Sequence, residues 1–367
     1  MKKILVYIPS FEGGGAERVA AVLTKHWREN FQYQVLVINT LPAETDFYKI
    51  DKDMPRRILK FNYSAKGLEY IYEKFTRVFL LREALKESKC KTVISFMSSP
   101  SVLMLISSIG LNKSIICCEH TNYYGYGNKF TRFFRNMLYL IFARKVTVLT
   151  TRDIKHYPTL LRKKLIVLPN PLGVDGFRLC QDAEESLPKM KKVIRLLFVG
   201  RLTKVKGIGR LCSILENLKA DNWHLTICGD GEEKKILEEF IIINNLTSKV
   251  DLVGPVVNIH EYYLNADLLI MTSLREGLPM VIAEAMSFNL PVIAFDCPTG
   301  PREFIRDGLN GLLVSDGDIN AYIKKLDFLI SNPTVLYKMS LNTKSTISSY
   351  KITEVNKVWS KLIQGDL

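Results

Sequence analysis

Residues 194–207 read IRLLFVGRLTKVKG. The first six are almost wholly apolar, as in a strand buried on both faces; a glycine ends the run, and an apolar-periodic stretch that suits a helix follows. A strand that opens through a short turn into a helix is one unit of a parallel α/β sheet, because parallel neighbours need a crossover connection. Arg201 and Lys206 lie in that turn, two donors beyond a strand end, where a pyrophosphate could sit. A solvated loop with two surface cations is the alternative.

The same alternation extends outward in both directions. Strand-like runs are expected at 4–8, 34–39, 92–97, 115–118, 146–150 and 166–168, then at 194–199, 224–228, 250–253, 268–272, 292–295 and 311–314. Helical patterns separate them, so each half reads as a doubly wound unit. Segment 178–192 is polar, contains Pro188 and lacks apolar periodicity, which marks a linker between a domain at 1–177 and a domain at 193–349. In open parallel sheets ligands bind beyond the carboxyl ends of the strands, so chemistry belongs in the loops that follow them.

At 367 residues, 47% hydrophobic and 24% charged, the chain fits two ordered domains and excludes disordered or collagen-like classes. Its formal charge of +14 is unevenly spread. Residues 1–180 hold 29 Lys/Arg against 14 Asp/Glu, and residues 181–367 hold 22 against 23. A basic first half suits an anionic surface, either acidic phospholipid or nucleic acid. Seven cysteines, five scattered and Cys117 and Cys118 adjacent in an apolar strand, without a C-x-x-C pair, argue against a metal or disulfide framework and for a reducing compartment. The first apolar run ends at Pro9, too short for a signal peptide, and no other run reaches the roughly 18–20 residues that spanning needs. A cytoplasmic protein that touches a membrane without crossing it is the expectation.

Three further stretches carry chemistry. GGGAER at 13–18 follows the first strand and opens a helix; Gly13, Gly14 and Gly15 would let backbone approach a phosphate, and a flexible turn is the alternative. REGLPMVIAEAM at 275–286 suggests a helix starting at 277–279, with Glu276 just ahead and Glu284 about two turns in. One carboxylate could accept from sugar hydroxyls and the other from ribose hydroxyls, while Gly277, Leu278 and Pro279 present the helix start to phosphates. KFTRFFRNMLYLIFARK at 129–145 combines Lys129, Arg132 and Arg135 with Phe133, Phe134, Met137, Leu138, Leu140 and Ile141. Such a helix suits a membrane interface or a lipid diphosphate, and a core helix with charged ends is the alternative. Asp51/Asp53 and Asp316/Asp318 have metal-pair spacing but follow no convincing strand end, so both read as loop acids.

GGGAER, FVGRLTKVKG, ICGDGEE, the two glutamates with seven residues between them, and CPTGPREFI followed by NGLLV together resemble glycosyltransferase family 4 of the GT-B fold, over residues 13–314. The resemblance implies two Rossmann-like domains facing a central cleft, with a C-terminal helix, 350–367, crossing back to the first domain. It implies Arg201 and Lys206 at the donor diphosphate, Glu276 at the transferred sugar, Glu284 at the ribose, and the glycine loop across the cleft. His120 in ICCEHTN is placed near the transferred sugar in the same way. Retention of configuration without metal or other cofactor is implied, with a UDP-sugar donor favoured over GDP-mannose. The implied acceptor is a polyprenyl-diphosphate-linked saccharide at the inner membrane face, in O-antigen, capsule or related polysaccharide synthesis, with lipopolysaccharide core or another glycolipid as alternative. Nucleic acid is not expected as a partner, since it would not require Glu276 and Glu284 around a helix start.

Overall fold

A computed structural model describes residues 2–12, 14–48, 50–51, 53–172 and 193–367. The expected linker at 178–192 lies outside them. The chain forms two compact units, 1–171 with 355–367, and 172–354.

The first unit is built on seven parallel strands: β1 (Lys3–Tyr7), β2 (Gln34–Asn39), β3 (Arg56–Ile58), β4 (Thr92–Phe96), β5 (Ser114–Cys118), β6 (Lys145–Val148) and β7 (Leu165–Val167), in the order β3-β2-β1-β4-β5-β6-β7. Central strands such as β1 and β4 are buried along nearly their whole length, as expected of a sheet covered on both faces. The helices that bear on function are α1 (Gly15–Phe31), α2 (Gly67–Glu87), α3 (Ser98–Ser108) and α4 (Lys129–Phe142). α3 packs against both α2 and α4, so the three share one face of the sheet. The C-terminal helix Ile352–Gln364 completes this unit: Trp359 meets Trp27 of α1 edge-on at 5.2 Å, and the Trp27 indole donates to Asn356 across 2.9 Å.

The second unit has six parallel strands, β8 (Ile194–Val199), β9 (Trp223–Cys228), β10 (Val250–Gly254), β11 (Leu268–Met271), β12 (Val292–Asp296) and β13 (Gly311–Ser315), in the order β10-β9-β8-β11-β12-β13. Its core joins Leu196, Phe198, Ile208, Leu211, Ile270 and Phe295. In each sheet the chain winds outward from a central first strand and then restarts on its other side. The order therefore reverses between β1 and β4, and again between β8 and β11. At such a reversal the connections leave in opposite directions and open a crevice beyond the strand ends.

β3 was not expected from sequence. It is a three-residue edge strand with two arginines, too short and too polar to show a periodic signal.

Candidate functional site

In the second unit, the reversal between β8 and β11 brings segment 200–207 against 272–279. The Thr272 hydroxyl donates to the Lys206 carbonyl at 3.0 Å, and the Leu274 N–H donates to the Val205 carbonyl at 2.8 Å. Gly207 has φ +73°, and a Cβ there would lie 2.0 Å from the Thr272 carbonyl oxygen, so only glycine fits. The result of this packing is an ion pair 70 residues apart in sequence: Lys206 Nζ sits 2.7 Å from Glu276 Oε1, both side chains largely buried. Arg201 is exposed, and its guanidinium takes no partner among the described residues. The turn after β9 supports this loop from behind, since Gly229 lies so close to Gly200 that a Cβ would sit 1.9 Å from its carbonyl oxygen.

Segment 276–300 holds the two glutamates. The Thr299 hydroxyl donates to the Glu276 carbonyl, and Gly300, at φ +103°, faces Pro279 where a Cβ would come within 2.4 Å of the proline ring. The helix begins at Met280, not at 277–279, and ends at Ser287. Two proline effects explain the late start: Leu278 precedes proline and is steered out of the α region, and Pro279 itself stands at ψ 88° as the N-cap. Glu284 is consequently about one turn into the helix, not two. One of its oxygens accepts from the Tyr263 hydroxyl at 3.1 Å, and the Tyr263 ring stacks on Phe288 with centroids 5.6 Å apart. Leu278 and Pro279 bury their side chains, so a ligand there would meet backbone; Gly277 is half-buried. The Ser273 hydroxyl is buried without a hydrogen-bond partner, three residues from Glu276. Thr272, Thr299, Gly300 and Tyr263, which hold these segments and orient Glu284, carry no signal of that work in their local sequence. CPTGPREFI already contained Thr299 and Gly300, but nothing local tied Tyr263 to Glu284.

In the first unit, Gly15 opens α1 and Gly14 is its N-cap; Gly13 lies outside the described residues. His120 follows β5, and its ring stacks on Phe96 at 5.2 Å and 17°. Both ring nitrogens are buried without a partner in normal hydrogen-bond geometry. Burial pushes the imidazole down to about 4, with the nearby Asn170 side chain acting in the opposite direction. The ring is therefore neutral near pH 7 and retains unused hydrogen-bonding capacity.

The grouping of Lys129, Arg132 and Arg135 as a membrane or acceptor contact needs correction. Lys129 is exposed, but Arg132 is half-buried, donates to the Gly127 carbonyl at 2.6 Å and stands over the Tyr124 ring. Arg135 is 0% exposed. It shares a helix face with Leu138 and Tyr139, three and four residues on, which pack inward. There it lies 3.7 Å from Glu119, itself 2% exposed, and within about 6 Å of the rings of Tyr123, Tyr126, Tyr139 and Tyr157. Glu119 also accepts from the Ser98 and Tyr139 hydroxyls. In the sequence Arg135 looks like its neighbours Lys129 and Arg132 because the buried acid is 16 positions away. Arg144 is occupied too, donating to the Leu362 carbonyl near the end of the C-terminal helix at 2.8 Å. The loop acids have identifiable work: Asp51 and Asp53 both pair with Arg28, Asp316 pairs with Arg210, and Asp318 caps the helix Ile319–Ser331.

Known proteins with these features point one way. A family profile described as "Glycosyl transferases group 1" matches residues 181–346. The amylovoran biosynthesis glycosyltransferase AmsD of Erwinia amylovora is 31% identical over 375 residues, covering 99% of this chain and 100% of that one. A Campylobacter jejuni protein is 29% identical over 369 residues, covering 99% of this chain and 98% of that one. It is described as "GalNAc-alpha-(1->4)-GalNAc-alpha-(1->3)-diNAcBac-PP-undecaprenol alpha-1,4-N-acetyl-D-galactosaminyltransferase". Among solved structures, Anabaena HepE in complex with UDP and glucose superposes with a TM-score of 0.80 at 18% identity, over 100% of both chains. The lipopolysaccharide outer core galactosyltransferase WaaB does so with a TM-score of 0.75 at 19% identity, again over 100% of both. The chain is a glycosyltransferase of the group 1 family, built on the GT-B fold.

Proposed function

We propose that the protein transfers a hexose or N-acetylhexosamine, with retention of configuration and without metal, from a UDP-sugar to a lipid-linked saccharide at the cytoplasmic membrane face. The observation that carries this reading is the cluster beyond β8 and β11, where the Lys206–Glu276 ion pair forms and the same loop carries Arg201, an exposed cation with no partner among the described residues. In the ligand-bound protein the diphosphate lies along Arg201 and Lys206, which draw negative charge as the glycosidic bond to phosphate lengthens. Phosphate then competes with Glu276 for the Lys206 ammonium, and the freed carboxylate accepts from sugar hydroxyls. Glu284, oriented by Tyr263, accepts from the ribose. The departing phosphate oxygen takes the proton of the acceptor hydroxyl, so the chain supplies positioning and charge stabilisation.

The acceptor assignment is supported by full-length relatives such as the C. jejuni transferase, whose description includes an undecaprenol diphosphate. GDP-mannose is the second donor to examine. A thermal-shift screen of nucleotide sugars tests the reading, because a ligand at 100 times its Kd adds about 2.7 kcal/mol of stability. UDP and at least one UDP-sugar should raise the melting temperature. A screen in which no nucleotide does so defeats it.

A further inference from the structure

α2 and α4 turn apolar residues toward solvent. On α2 these are Leu68, Ile71, Tyr72, Phe75 and Phe79; on α4 they are Phe130, Phe133, Phe134, Met137 and Ile141. Both series run at offsets of 3, 4, 7 and 11 from their first member, one continuous stripe along a helix. In a globular helix that stripe faces the core; here Leu68 is 86% exposed, Phe75 71% and Phe130 77%. The two helices flank α3 on the same side of one sheet, so the stripes belong to one face of the first unit. From Gly67 to Leu80 on α2 only Glu73 is buried, and the anchoring residues Leu81, Ala84 and Leu85 come later. Ten large apolar side chains on the two helices that flank α3 exceed the scatter normal for a surface and mark a contact face.

Charge selects the occupant. No acidic residue occurs between Glu119 and Asp153, and the first 180 residues carry a balance of +15. The acids on the outer part of α2 are engaged locally: Glu73 pairs with Arg77 at 3.2 Å, and Glu69 accepts from Asn62 at 2.9 Å. Lys66, Lys74 and Lys129 border the stripes, Lys74 standing 4.4 Å from the Tyr70 ring centroid. Aromatic and aliphatic bulk edged by lysine and tyrosine suits the headgroup boundary of an anionic bilayer. A second copy of so basic a unit would be repelled.

We propose that the apolar stripes of α2 and α4 form a membrane-docking face that inserts into the interface of an anionic bilayer, with insertion of apolar side chains as the main attraction and lysine charge as the lesser one. This deepens, and rests on, the reading that the acceptor is lipid-linked.

Sedimentation with vesicles tests it, using phosphatidylcholine alone and phosphatidylcholine mixed with phosphatidylglycerol, at low and at about 1 M salt, where the Debye length is about 3 Å. Wild type should bind the anionic vesicles best and keep a measurable part of that binding at high salt. Phe75→Ser with Phe79→Ser, and separately Phe130→Ser with Phe133→Ser, should each weaken partition about tenfold or more. All four together should abolish it, while the UDP-induced thermal shift stays at its wild-type value. Three results overturn the proposal: a quadruple variant that binds like wild type, wild-type binding that vanishes at high salt, or wild type that ignores vesicles. In the last case, dissociation of an oligomer by the same substitutions would assign the face to a second copy. If vesicle binding fails while transfer to a short-chain, water-soluble acceptor persists, only the docking face is wrong; if UDP binding and transfer both fail, the functional reading falls first.

Discussion

At the scale of single residues, the environment sets what each charged or titratable group can do. His120 has a folded value of about 4 against about 6.5 when unfolded, so between these the unfolded chain takes up a proton that the folded chain refuses. Its contribution to stability is complete above about pH 6.5 and is lost as pH falls toward 4, on the order of 3 kcal/mol. His120→Asn should flatten that part of a pH series of urea melts, and the acid limb of wild-type turnover should lie well below 6.5. Lys206→Ala and Arg201→Ala should lower kcat more than they raise the KM for acceptor, since phosphate charge grows in the transition state. Glu284→Gln should weaken UDP and UDP-sugar alike by about 1.5–3 kcal/mol, measured by calorimetry. Arg135 behaves differently from its neighbours. Arg135→Met leaves the Glu119 carboxylate buried without its cation and should cost about 3–5 kcal/mol, whereas adding Glu119→Gln should recover most of the loss. Equal stability of the single and double variants would show that Glu119 does not need its cation.

At the scale of elements, Gly229 and Gly300 help set how closely the site loops approach. Gly229→Ala would place a Cβ against the Gly200 carbonyl at a φ of +153°, and Gly300→Ala would press on Pro279 at +103°. In both cases the neighbour is backbone or a rigid ring, so the loops themselves must move. Each change should reduce UDP binding at least tenfold while leaving the far-ultraviolet circular dichroism unchanged, because the strands do not depend on these contacts. Helix starts were less legible than helix existence. The segment at 275–286 was correctly read as a turn leading into a helix, yet its first turn was placed early because Pro279 was taken as a helical residue and acts as the cap.

For the whole molecule, donor binding is expected to act on one unit. Saturating UDP should slow amide hydrogen exchange in 200–207 and 272–287, while the exchange of β1, β4 and β5 in the first unit stays as it was. Comparable protection of both sheets by UDP alone would contradict a donor site carried by the second unit. Excess EDTA should leave turnover intact if, as proposed, Arg201 and Lys206 supply the positive charge that a divalent ion would otherwise provide. Loss of activity restored by magnesium or manganese would overturn the metal-free mechanism.

What the sequence determined by itself was periodic or contiguous. Twelve of the thirteen strands among the described residues could be placed within a residue or two, because strands buried on both faces are apolar runs bounded by glycine, proline and polar residues, and that signal is local. That Arg201 and Lys206 follow a strand, that Glu276 precedes a helix and that Glu284 lies within it was legible because each belongs to a short segment with a clear strand end or helix pattern. Only the tertiary structure could decide which cations are free. Arg135, Arg144 and Lys129 share one stretch of sequence, yet the first is buried against Glu119, the second caps the C-terminal helix and the third is exposed. A charge acquires its role from partners brought close by folding, and Glu119, Leu362 and Glu276 stand 16, 218 and 70 residues from the cations they meet. The outward apolar faces of α2 and α4 follow the same logic. Helical periodicity reveals that a stripe exists, but whether it faces core or solvent depends on how the helix is laid on its sheet.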